Sequence, residues 1–390
     1  MTSASATIPV GYKQTEVGVI PEDWGVKVIS ELFEVCAGGD HDSKRSSKIQ
    51  SDSFPHPIYA NALSNDGLYG FCNYTEAKAG SITITARGSL GHATYRSEPF
   101  VAIVRLLILE PKGKIDARYF TEYINFHVEF PIESTGVPQL TAPQVLGQKL
   151  PVPSIDEQFS ISDVLDSNDF LMHKLENLIE KKRNIKQGAM QELLTGKTRL
   201  PGFSGDWRWG KLGDLAIIER GKVITKIETV FGEIPVIAGG MKPAYHHNVS
   251  NRSGKTITVS GSGANAGYVS FHNRPIFASD CSTINESSKY SIEFLFFMLK
   301  NMQQQIYAEQ TGGAQPHIHP SNLNPMQVHI PSEIEEQNGI AEVLSDMDSE
   351  IAALEQHLEK IKAIKQGMMQ QLLTGRIRLV DPSTPVEASA

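Results

Sequence analysis

The chain has 390 residues, of which 40% are hydrophobic and 21% are charged, a composition typical of a globular protein with two or three domains. No apolar run approaches the roughly 20 residues that a membrane-spanning helix requires. Residues 1–10 lack the basic-then-apolar order of a signal peptide, so we expect a cytoplasmic protein. The cysteines Cys36, Cys72 and Cys281 are odd in number and far apart, which predicts small buried side chains rather than a disulfide framework or a zinc site.

The formal net charge is −8, whereas a protein that binds nucleic-acid phosphates normally presents a basic face. The charge is uneven along the chain. Residues 207–327 carry 11 Lys and Arg against 8 Asp and Glu, and residues 328–379 carry 5 against 9. The acidic charge is therefore concentrated partly in the last segment, although the overall sign argues against strong DNA binding by this chain alone.

Residues 1–150 have the pattern of a mixed α/β domain. Runs over 81–85 and 101–109 predict strands, and a helix over 117–126 follows the good N-cap Asp116. We expect its aromatic side chains to be core rather than base-stacking platforms. The loops are rich in side chains that pair with bases or phosphates. The candidate DNA contacts of this domain are Lys44, Arg45, Lys48, Arg87, Ser89, His92 and Gln139.

Residues 151–200 predict a long helix over about 157–194. An apolar seam is expected along it, interrupted by Asn168 and Lys182. The helix should end before Gly196, in the left-handed conformation. The predicted seam residues are Ile161, Val164, Leu171, Leu175, Leu178 and Ile185.

Residues 201–327 repeat the α/β pattern. Strands are predicted over 256–260 and 275–278, and a helix over 292–299 follows Ser291. Its loops again carry small and basic residues. The candidate DNA contacts here are Lys222, Lys226, Ser262, Asn265 and Gln315.

Residues 328–380 predict a second long helix, with apolar residues at strict seven-residue intervals, the pattern of a coiled coil. It should end before Gly375, and residues 381–390 should form a flexible tail. Interior glycines Gly188 and Gly367 each cost about 1 kcal/mol against Ala, which a close approach of the two helices would explain. The seam consists of Ile340, Met347, Leu354, Ile361 and Met368 with Val343 or Leu344, Ile351, Leu358, Ile364 and Leu372.

The chain is an internal repeat. Residues 158–200 align without gaps on 337–379 with 21 identities in 43 positions. Fainter correspondences join 21–24 to 204–207 and 80–85 to 254–260. Thr135, Gly136 and Gln139 are matched in the same way to Thr311, Gly312 and Gln315. The order is therefore A-B-A′-B′ with a period near 180 residues, a duplicated domain-plus-helix rather than a solenoid.

These patterns predict an α+β fold. Two similar α/β domains are separated by two long helices packed as an antiparallel coiled coil with pseudo-twofold symmetry. The predicted divisions are 1–150 (with an N-terminal edge over 1–24), 151–200, 201–327, 328–380 and a tail over 381–390.

Several motifs that suggest catalysis are incomplete. Residues 261–267 resemble a phosphate-binding loop but lack both the following helix with its acidic residue and the Gly-Lys-Ser/Thr of a P-loop. His246-His247 and His317-Ile318-His319 lack a third clustered metal ligand. Because no nuclease, methyltransferase or helicase constellation is recognisable either, we expect a chain without catalysis and without a bound metal or cofactor.

The chain resembles the specificity subunits of type I restriction-modification systems. The resemblance rests on residues 12–24 (Tyr-Lys-Gln-Thr-Glu-Val-Gly-Val-Ile-Pro-Glu-Asp-Trp), on 200–207 (Leu-Pro-Gly-Phe-Ser-Gly-Asp-Trp) and on both Lys-Gln-Gly…Leu-Leu-Thr-Gly repeats. It covers roughly 100 residues at the helices and domain edges. The α/β domains diverge within the family, so few base-reading residues carry over.

The resemblance implies that each α/β domain is a target recognition domain for one half of a split double-stranded DNA site. The helices would then form a spacer, and their length predicts that the centres of the two reading domains are ~35–55 Å apart, or about 10–16 base pairs. It also implies two methyltransferase (modification) subunits using S-adenosylmethionine and motor-nuclease (restriction) subunits using ATP and Mg²⁺. Because this chain is acidic overall, partner chains would supply much of the surface that binds the DNA phosphates.

Two other interpretations stay open. One is the recognition subunit of a different DNA-methylation or defence complex with the same fold. The other is a duplicated enzyme with catalytic residues in its loops, and turnover by the purified chain alone would favour it.

Overall fold

The computed structural model describes residues 8–131 and 138–380. The predicted tail over 381–390 and the predicted matches at Thr135 and Gly136 lie outside them. The chain divides into two compact units: unit 1 comprises Met1–Lys174 with Leu358–Ala390, and unit 2 comprises Leu175–His357. Both long helices contribute residues to both units. The five-segment division of the sequence stays a prediction.

Unit 1 contains twelve strands and three short helices among the described residues, together with parts of the two long helices. The strands are β1 (Tyr12–Thr15), β2 (Gly18–Pro21), β3 (Gly25–Val28), β4 (Phe33–Ala37), β5 (Ser46–Ser47), β6 (His56–Tyr59), β7 (Leu68–Cys72), β8 (Ser81–Thr85), β9 (Ala93–Arg96), β10 (Val101–Ala102), β11 (Leu106–Pro111) and β12 (Lys149–Val152). The helices are α1 (Ile29–Leu32), α2 (Ala117–His127), α3 (Ala142–Leu146) and the start of α4 (Ile155–Leu193).

Unit 2 repeats most of this series. Its strands are β13 (Trp207–Lys211), β14 (Ile218–Arg220), β15 (Ile234–Ile237), β16 (Tyr245–His247), β17 (Lys255–Ser260), β18 (Val269–Asn273), β19 (Phe277–Ala278), β20 (Cys281–Asn285) and β21 (Gln327–Pro331). Its helices are α5 (Leu212–Leu215), α6 (Ile292–Asn301), α7 (Gln303–Ala308), α8 (Pro320–Leu323) and most of α9 (Ile334–Leu372), the second long helix.

The same sheets are built in both units. An antiparallel sheet has the order β4-β11-β8-β9 in unit 1 and β14-β20-β17-β18 in unit 2. A second sheet joins β6 to β7 antiparallel and to β10 parallel, just as β15 joins β16 and β19. Strand pairs β3–β12 and β13–β21 complete the match. The predicted fold class, two similar domains with two long helices in A-B-A′-B′ order, is confirmed.

The predicted strands and domain helices are present, with one break and one shorter strand: only Phe277–Ala278 of the run over 275–278 forms a strand, β19. The strands over 81–85 and 256–260 correspond to β8 and β17. The run over 101–109 is two strands, β10 and β11, because the chain turns at 103–105 and passes from one sheet to the other. Asp116 accepts a hydrogen bond from the amide of Arg118, and Ser291 accepts one from the amide of Phe294, so both predicted N-caps are confirmed.

The aromatic side chains of α2 and α6 belong to the core, as predicted. Tyr119, Phe120 and Tyr123 are buried in unit 1 beneath the β4-β11-β8-β9 sheet and the ends of both long helices. Phe294 and Phe297 are buried in unit 2, and Phe296 packs partly buried against the same core. Burial of each such ring stabilises the fold by roughly 1.5–3 kcal/mol.

The long helices end where the sequence predicts. After Leu193 and Leu372 the chain turns at Gly196 (φ 72°) and Gly375 (φ 67°), the left-handed conformation that glycine adopts without strain. The two helices pack antiparallel within each unit. In unit 1 the seam amide of Asn168 reaches the sulfur of Met368, and in unit 2 Lys182 pairs with Glu350 at 2.6 Å.

The seam of the first helix is predicted correctly in part. Ile161 and Leu175 are buried, and Asn168 and Lys182 interrupt the seam as predicted. Leu171, Leu178 and Ile185 are 44%, 38% and 48% exposed, so their assignment to the seam is wrong. The inward face carries residues spaced alternately by three and four. They are Ile161, Leu165, Asn168, Met172, Leu175, Ile179, Lys182 and Lys186.

The second helix has the equivalent seam and a parallel exception. Leu344, Ile351, Leu358, Ile361 and Leu372 are buried, as predicted. Ile364, however, is 45% exposed, and its neighbour Lys365 points inward to pair with Asp169 at 2.8 Å and with Glu122 at 3.3 Å. In unit 2 the equivalent Lys186 pairs with Asp348. Apolar character predicts Ile364 for this seam position, but Lys365 occupies it, because its ion pairs offset the cost of burying the ammonium group.

The explanation offered for the interior glycines is also wrong. Gly188 and Gly367 are exposed, and a Cβ at either position would meet no atom within 4 Å. Close approach of the two helices therefore does not require them.

The start of each long helix is held by the same set of contacts. Gln158 accepts a hydrogen bond from the amide of Asp116, and Gln337 accepts one from that of Ser291. The next contact crosses to the end of the other helix. Arg378 pairs with the fully buried Glu157 at 2.6 Å, and Arg199 pairs with buried Glu336 at 2.7 Å.

Two remaining expectations concern the cysteines and membrane spans. Cys72 and Cys281 are buried, but Cys36 is exposed on edge strand β4, which contradicts the prediction of a buried side chain. None of the helices in the described part of the chain combines the length and the apolar character that crossing a bilayer requires.

Candidate nucleic-acid interface

In unit 1 three backbone hydrogen bonds bring the loops after β4, β6 and β10 together. The amide of Gly38 donates to Leu106 at 2.8 Å, that of Gly39 to Ala102 at 3.1 Å and that of Ile103 to Tyr59 at 2.9 Å. A Cβ on Gly38 would lie only 2.5 Å from the carbonyl oxygen of Ala102. Glycine at this position is what allows the first loop to cross so close to the neighbouring strand.

The first loop presents three cations. Asp42 caps a 3₁₀ turn over Ser43–Arg45, which leaves Lys44 exposed at its tip. The guanidinium of Arg45 lies 4.4 Å from the Tyr74 ring centroid and donates to Asn73 at 2.9 Å. Lys48 lies 3.4 Å from the ring centroid of Tyr69. Two of the three predicted contacts are therefore oriented by aromatic rings, and Lys44 extends into solvent.

A second group forms around Arg87. A β-bridge pairs Arg87 with Gln139, and Gln139 accepts a hydrogen bond from Arg105 at 3.2 Å. Asn61 fixes the loop by accepting from the amides of Ala86 and Arg87 at 2.7 and 3.2 Å. Arg87 and Arg105 are exposed, so two guanidinium groups and an amide face solvent together.

Ser89 and His92 lie on the same hairpin as Arg87, and both are exposed. Their backbones are tied to Thr85: its hydroxyl donates to the carbonyl of Ser89 and accepts from the amide of His92 at 3.0 Å. Their side chains are thereby carried on an ordered turn beside Arg87.

Unit 2 joins its loops in the same way. The amide of Gly221 donates to Cys281 at 2.8 Å, that of Lys222 to Ala278 at 2.9 Å and that of Ser279 to Ile237 at 2.7 Å. Each bond is the counterpart of one in unit 1. The three bonds place Gly221 and Lys222 at the positions of Gly38 and Gly39.

The predicted contacts of unit 2 fall on two loops. Lys222 and Lys226 are exposed, with Lys226 opening a 3₁₀ turn capped by Thr225. Ser262 and Asn265 are half-buried, and the hydroxyl of Ser262 donates to Asp280. The Ser262 hydroxyl therefore already donates its proton within the chain, and the Asp280 carboxylate lies beside this loop.

The predicted match of Gln139 with Gln315 is wrong by two residues. The bridge that pairs Arg87 with Gln139 has its counterpart between Ser262 and His317, and the amides of Leu140 and Ile318 donate to Ala86 and Gly261. Pro138-Gln139-Leu140 therefore corresponds to Pro316-His317-Ile318. Gln315 is exposed on the preceding turn.

Sequence reasoning missed Asn61, Tyr69, Tyr74, Arg105 and His317. The four residues of unit 1 meet the predicted contacts only through pairings distant in sequence, such as Ser46 with Cys72 across β5 and β7. His317 was available from the Pro-x-aliphatic pattern that it shares with Gln139. Within the described ranges, no group of three or more His, Cys, Asp and Glu side chains is arranged to hold a metal ion.

Comparison with known proteins gives a consistent result. The family model for the type I restriction modification DNA specificity domain matches twice, over residues 21–182 and 204–363. The type I restriction enzyme MjaVIII specificity subunit of Methanocaldococcus jannaschii is 23% identical, over 92% of this chain and 94% of the relative. The putative MjaX specificity subunit of the same organism is 24% identical, over 94% and 97%.

The fold also matches a solved structure. The S subunit of a type I restriction-modification system from M. genitalium superposes with a TM-score of 0.70, covering 90% of this chain and 96% of that one at 15% identity. The family model covers most of the chain in two copies, one for each unit's repeated sheets. The chain belongs to the type I restriction-modification DNA specificity family.

Proposed function

We propose that this chain reads a bipartite double-stranded DNA target, one half-site with each unit. The proposal rests on a feature that is repeated in both units. Three equivalent backbone hydrogen bonds hold the loops together in each unit, while the side chains that these loops expose differ. A shared framework with different contact residues suits two readers of different sequences.

The contacts follow from side-chain chemistry. Arg87 and Arg105 offer the bidentate geometry that guanine accepts, and Gln139 offers the amide that adenine accepts. Lys44, Arg45 and Lys48 suit phosphates or guanine, as do Lys222 and Lys226 in unit 2. Ser89, His92, Ser262, Asn265 and Gln315 complete the proposed set, to which the bridge geometry adds His317.

We further propose that α4 and α9 act as the spacer between the half-sites. Inserting one heptad between Leu178 and Lys186, with a matching heptad at the facing part of α9, preserves the seam. The insertion adds about 10 Å of helix, so the unread gap should lengthen by about three base pairs. An unchanged gap in cells that carry the insertion removes the spacer role.

The proposal assigns catalysis to other chains. Two modification subunits would bring S-adenosylmethionine and the methyltransferase site, and motor-nuclease subunits would bring ATP and Mg²⁺, while this chain binds no cofactor. The net charge of −8 supports such a division, because the partners would then supply phosphate-binding surface.

The decisive experiment maps methylated bases across the genome of cells with and without this chain. We expect a split motif whose methylation disappears when the chain is deleted. In the same assay, Arg87→Ala should relax or abolish one half of the motif and Lys222→Ala the other. A motif that persists without the chain, or two half-sites that respond alike to each substitution, contradicts the two-reader proposal.

A further inference from the structure

The 3₁₀ turns of the two first loops occupy equivalent positions. Because Gly39 and Lys222 make the same hydrogen bond, the capping residues Asp42 and Thr225 each follow three residues later. The middle residue of the turn is Lys44 in unit 1 and Ile227 in unit 2. The tip that carries a cation in one unit therefore carries an aliphatic side chain in the other.

The loop over residues 221–233 exposes several apolar side chains. Ile227 is 97% exposed and Phe231 is 99% exposed, higher values than those of the other large apolar residues of unit 2. Val223 and Val230 are 63% and 56% exposed. Exposed apolar side chains gathered on one loop mark a surface that another molecule covers.

This loop is held in place rather than free. The amide of Ile224 donates to the Ser279 hydroxyl at 3.1 Å, and that of Val230 donates to Nδ1 of His247 at 3.0 Å. Glu228 accepts from both the amide and the hydroxyl of Thr225 at 2.7 Å. These hydrogen bonds anchor the backbone of the loop, and the side chains of Ile227 and Phe231 stay outside the core.

The equivalence of this loop with the Lys44 loop of unit 1 favours DNA as the occupant. Lys222 precedes Val223 and Lys226 precedes Ile227, so each of these exposed apolar side chains has a cation beside it in the chain. Glu228 and Glu233 also lie in the loop, and the Glu228 carboxylate is occupied by the amide and the hydroxyl of Thr225. Cations beside apolar side chains match a duplex, in which phosphates flank base edges that include the thymine methyl group.

We propose that residues 221–233 contact the bases of one half-site through apolar side chains, chiefly Ile227 and Phe231, at the place where unit 1 uses cations. This inference rests on the proposed function and deepens it. Among the described residues, the first loop of unit 1 exposes one large apolar side chain, Ile49, whereas the loop of unit 2 exposes four. The half-site of unit 2 is then bound with the larger apolar component, and that of unit 1 with the larger ionic one.

Salt dependence distinguishes the two kinds of contact. A phosphate contact releases counterions and contributes about 0.9 to the slope of log K against log salt concentration, whereas an apolar contact contributes almost nothing to it. The test uses the full chain assembled with its modification subunits and a duplex that carries the mapped target. Dissociation constants are measured over a series of salt concentrations for Ile227→Ala/Phe231→Ala, for Lys44→Ala, and for Ile217→Ala as a control. Ile217 is 79% exposed in unit 2 but lies before β14, outside the loop.

We expect the double variant to bind about tenfold or more weakly, by the same factor at every salt concentration, and the control to bind like the unchanged protein. Lys44→Ala should lower the slope, and its loss of affinity should shrink as salt rises. Thermal unfolding checks that the exposed substitutions leave the fold intact.

Three results overturn the inference. They are unchanged affinity of the double variant, a loss accompanied by a reduced salt slope, and impaired assembly with the modification subunits while the assembled fraction binds DNA normally. The last result would assign the surface to a protein partner. If the unchanged complex does not distinguish the mapped target from a scrambled duplex, the proposed function itself fails, which is a separate outcome.

Discussion

His272 lies on β18 with Nε2 2.9 Å from the hydroxyl of Thr258 on β17. Burial lowers the pKa of His272 to about 4, and the positive charge of Arg274 adds to the effect. The folded chain therefore keeps the ring neutral, while the unfolded chain takes up a proton near the ordinary pKa of about 6.5. The stability that depends on the neutral ring is complete above about pH 6.5 and is lost as the pH falls towards 4.

We predict that His272→Gln weakens this acid sensitivity. Between pH 7 and pH 4 the unchanged protein should lose about 2 kcal/mol more unfolding free energy than the variant, allowing for partial exposure of the ring. Urea unfolding at a series of pH values measures the difference. His246→Gln, an exposed position in the same unit, is the control. Parallel pH profiles for His272→Gln and the unchanged protein would contradict the prediction.

Lys365 supplies a second test at the scale of single residues. Burial alone would lower the pKa of Lys365, but its hydrogen bond with Asp169 and the charge of Glu122 raise it. Burial likewise raises the pKa of Glu122, against the opposing charge of Lys365. Lys365→Met should therefore destabilise unit 1 by about 2 kcal/mol at pH 7, because it leaves the Glu122 carboxylate buried without its cation.

Adding Glu122→Gln to Lys365→Met should restore much of the lost stability, since the unpaired charge is then gone. Exposed Lys360→Met on the same helix should change the unfolding free energy by no more than about 0.5 kcal/mol. Equal unfolding free energies for the single and double variants would show that the pairing with Glu122 does not stabilise the fold.

Residue-scale features were the hardest to predict from the sequence. The aromatic core residues and both N-caps follow from local patterns, because burial and capping depend on neighbours in sequence. Lys365 in the seam and Arg105 beside Gln139 depend on partners far along the chain, which periodicity does not reveal. Gln315 resembles Gln139 in residue type alone, whereas His317 shares its Pro-x-aliphatic setting and its β-bridge.

At the scale of elements, the two interior glycines of the long helices lower the free energy of unfolding relative to alanine. Gly188 and Gly367 lie in helical backbone, outside the left-handed region, and the space that a side chain at either position would occupy is open. Gly188→Ala and Gly367→Ala should each raise the unfolding free energy, by up to about 1 kcal/mol. Thermal or urea unfolding of the isolated chain measures the gain.

The glycines that end the same helices should behave in the opposite way. Gly196→Ala and Gly375→Ala force a side chain into positive φ, against Trp207 at 3.0 Å and Pro21 at 2.5 Å respectively. We expect each to destabilise its unit by more than about 1 kcal/mol. A gain at Gly196 or a loss at Gly188 would show that the helix geometry does not govern these positions.

The elements themselves were largely predictable. Helix ends, the strands over 81–85 and 256–260 and both domain helices follow from periodicity and capping residues. The alternate positions of the first seam were not, because leucines and isoleucines lie on both sides of it and the choice depends on the facing helix. The break in the run over 101–109 was not predictable either, because β10 and β11 pair with strands of two different sheets.

At the scale of the whole molecule, unit 1 is built from two stretches of chain that lie on either side of unit 2 in the sequence. The hydroxyl of Tyr12 donates to the carbonyl of Gly375 at 2.9 Å, and Arg378 pairs with Asp23 at 2.7 Å. Leu372 and Leu373 belong to the core of unit 1 alongside Trp24 and Ile161. Unit 2 instead comes from the continuous stretch Leu175–His357.

Ending the chain after His357 should therefore unfold unit 1 selectively. We expect backbone amides of residues 8–174 to exchange hydrogen rapidly, because the truncation uncovers their apolar core, while those of 207–331 keep their protection. Hydrogen exchange read by mass spectrometry compares the two stretches within one sample. Equal loss of protection in both would contradict the independence of the units.

The repeat made the large-scale organisation predictable from sequence. An ungapped match of 43 positions indicates two copies of one domain-plus-helix, and the sheets confirm it. The sharing of each long helix between the units is not visible in the repeat, because alignment shows which segments are alike and not which segments touch.

The composition of unit 1 also sets an order for folding during synthesis. The ribosome makes residues 8–174 before residues 175–357, yet this unit lacks the contacts made by Leu372 to Arg378 until those residues have also left the exit tunnel. Unit 2, made later, has all of its residues once His357 has left the exit tunnel. The core of unit 1 is thus completed after that of unit 2, although most of its residues are made earlier.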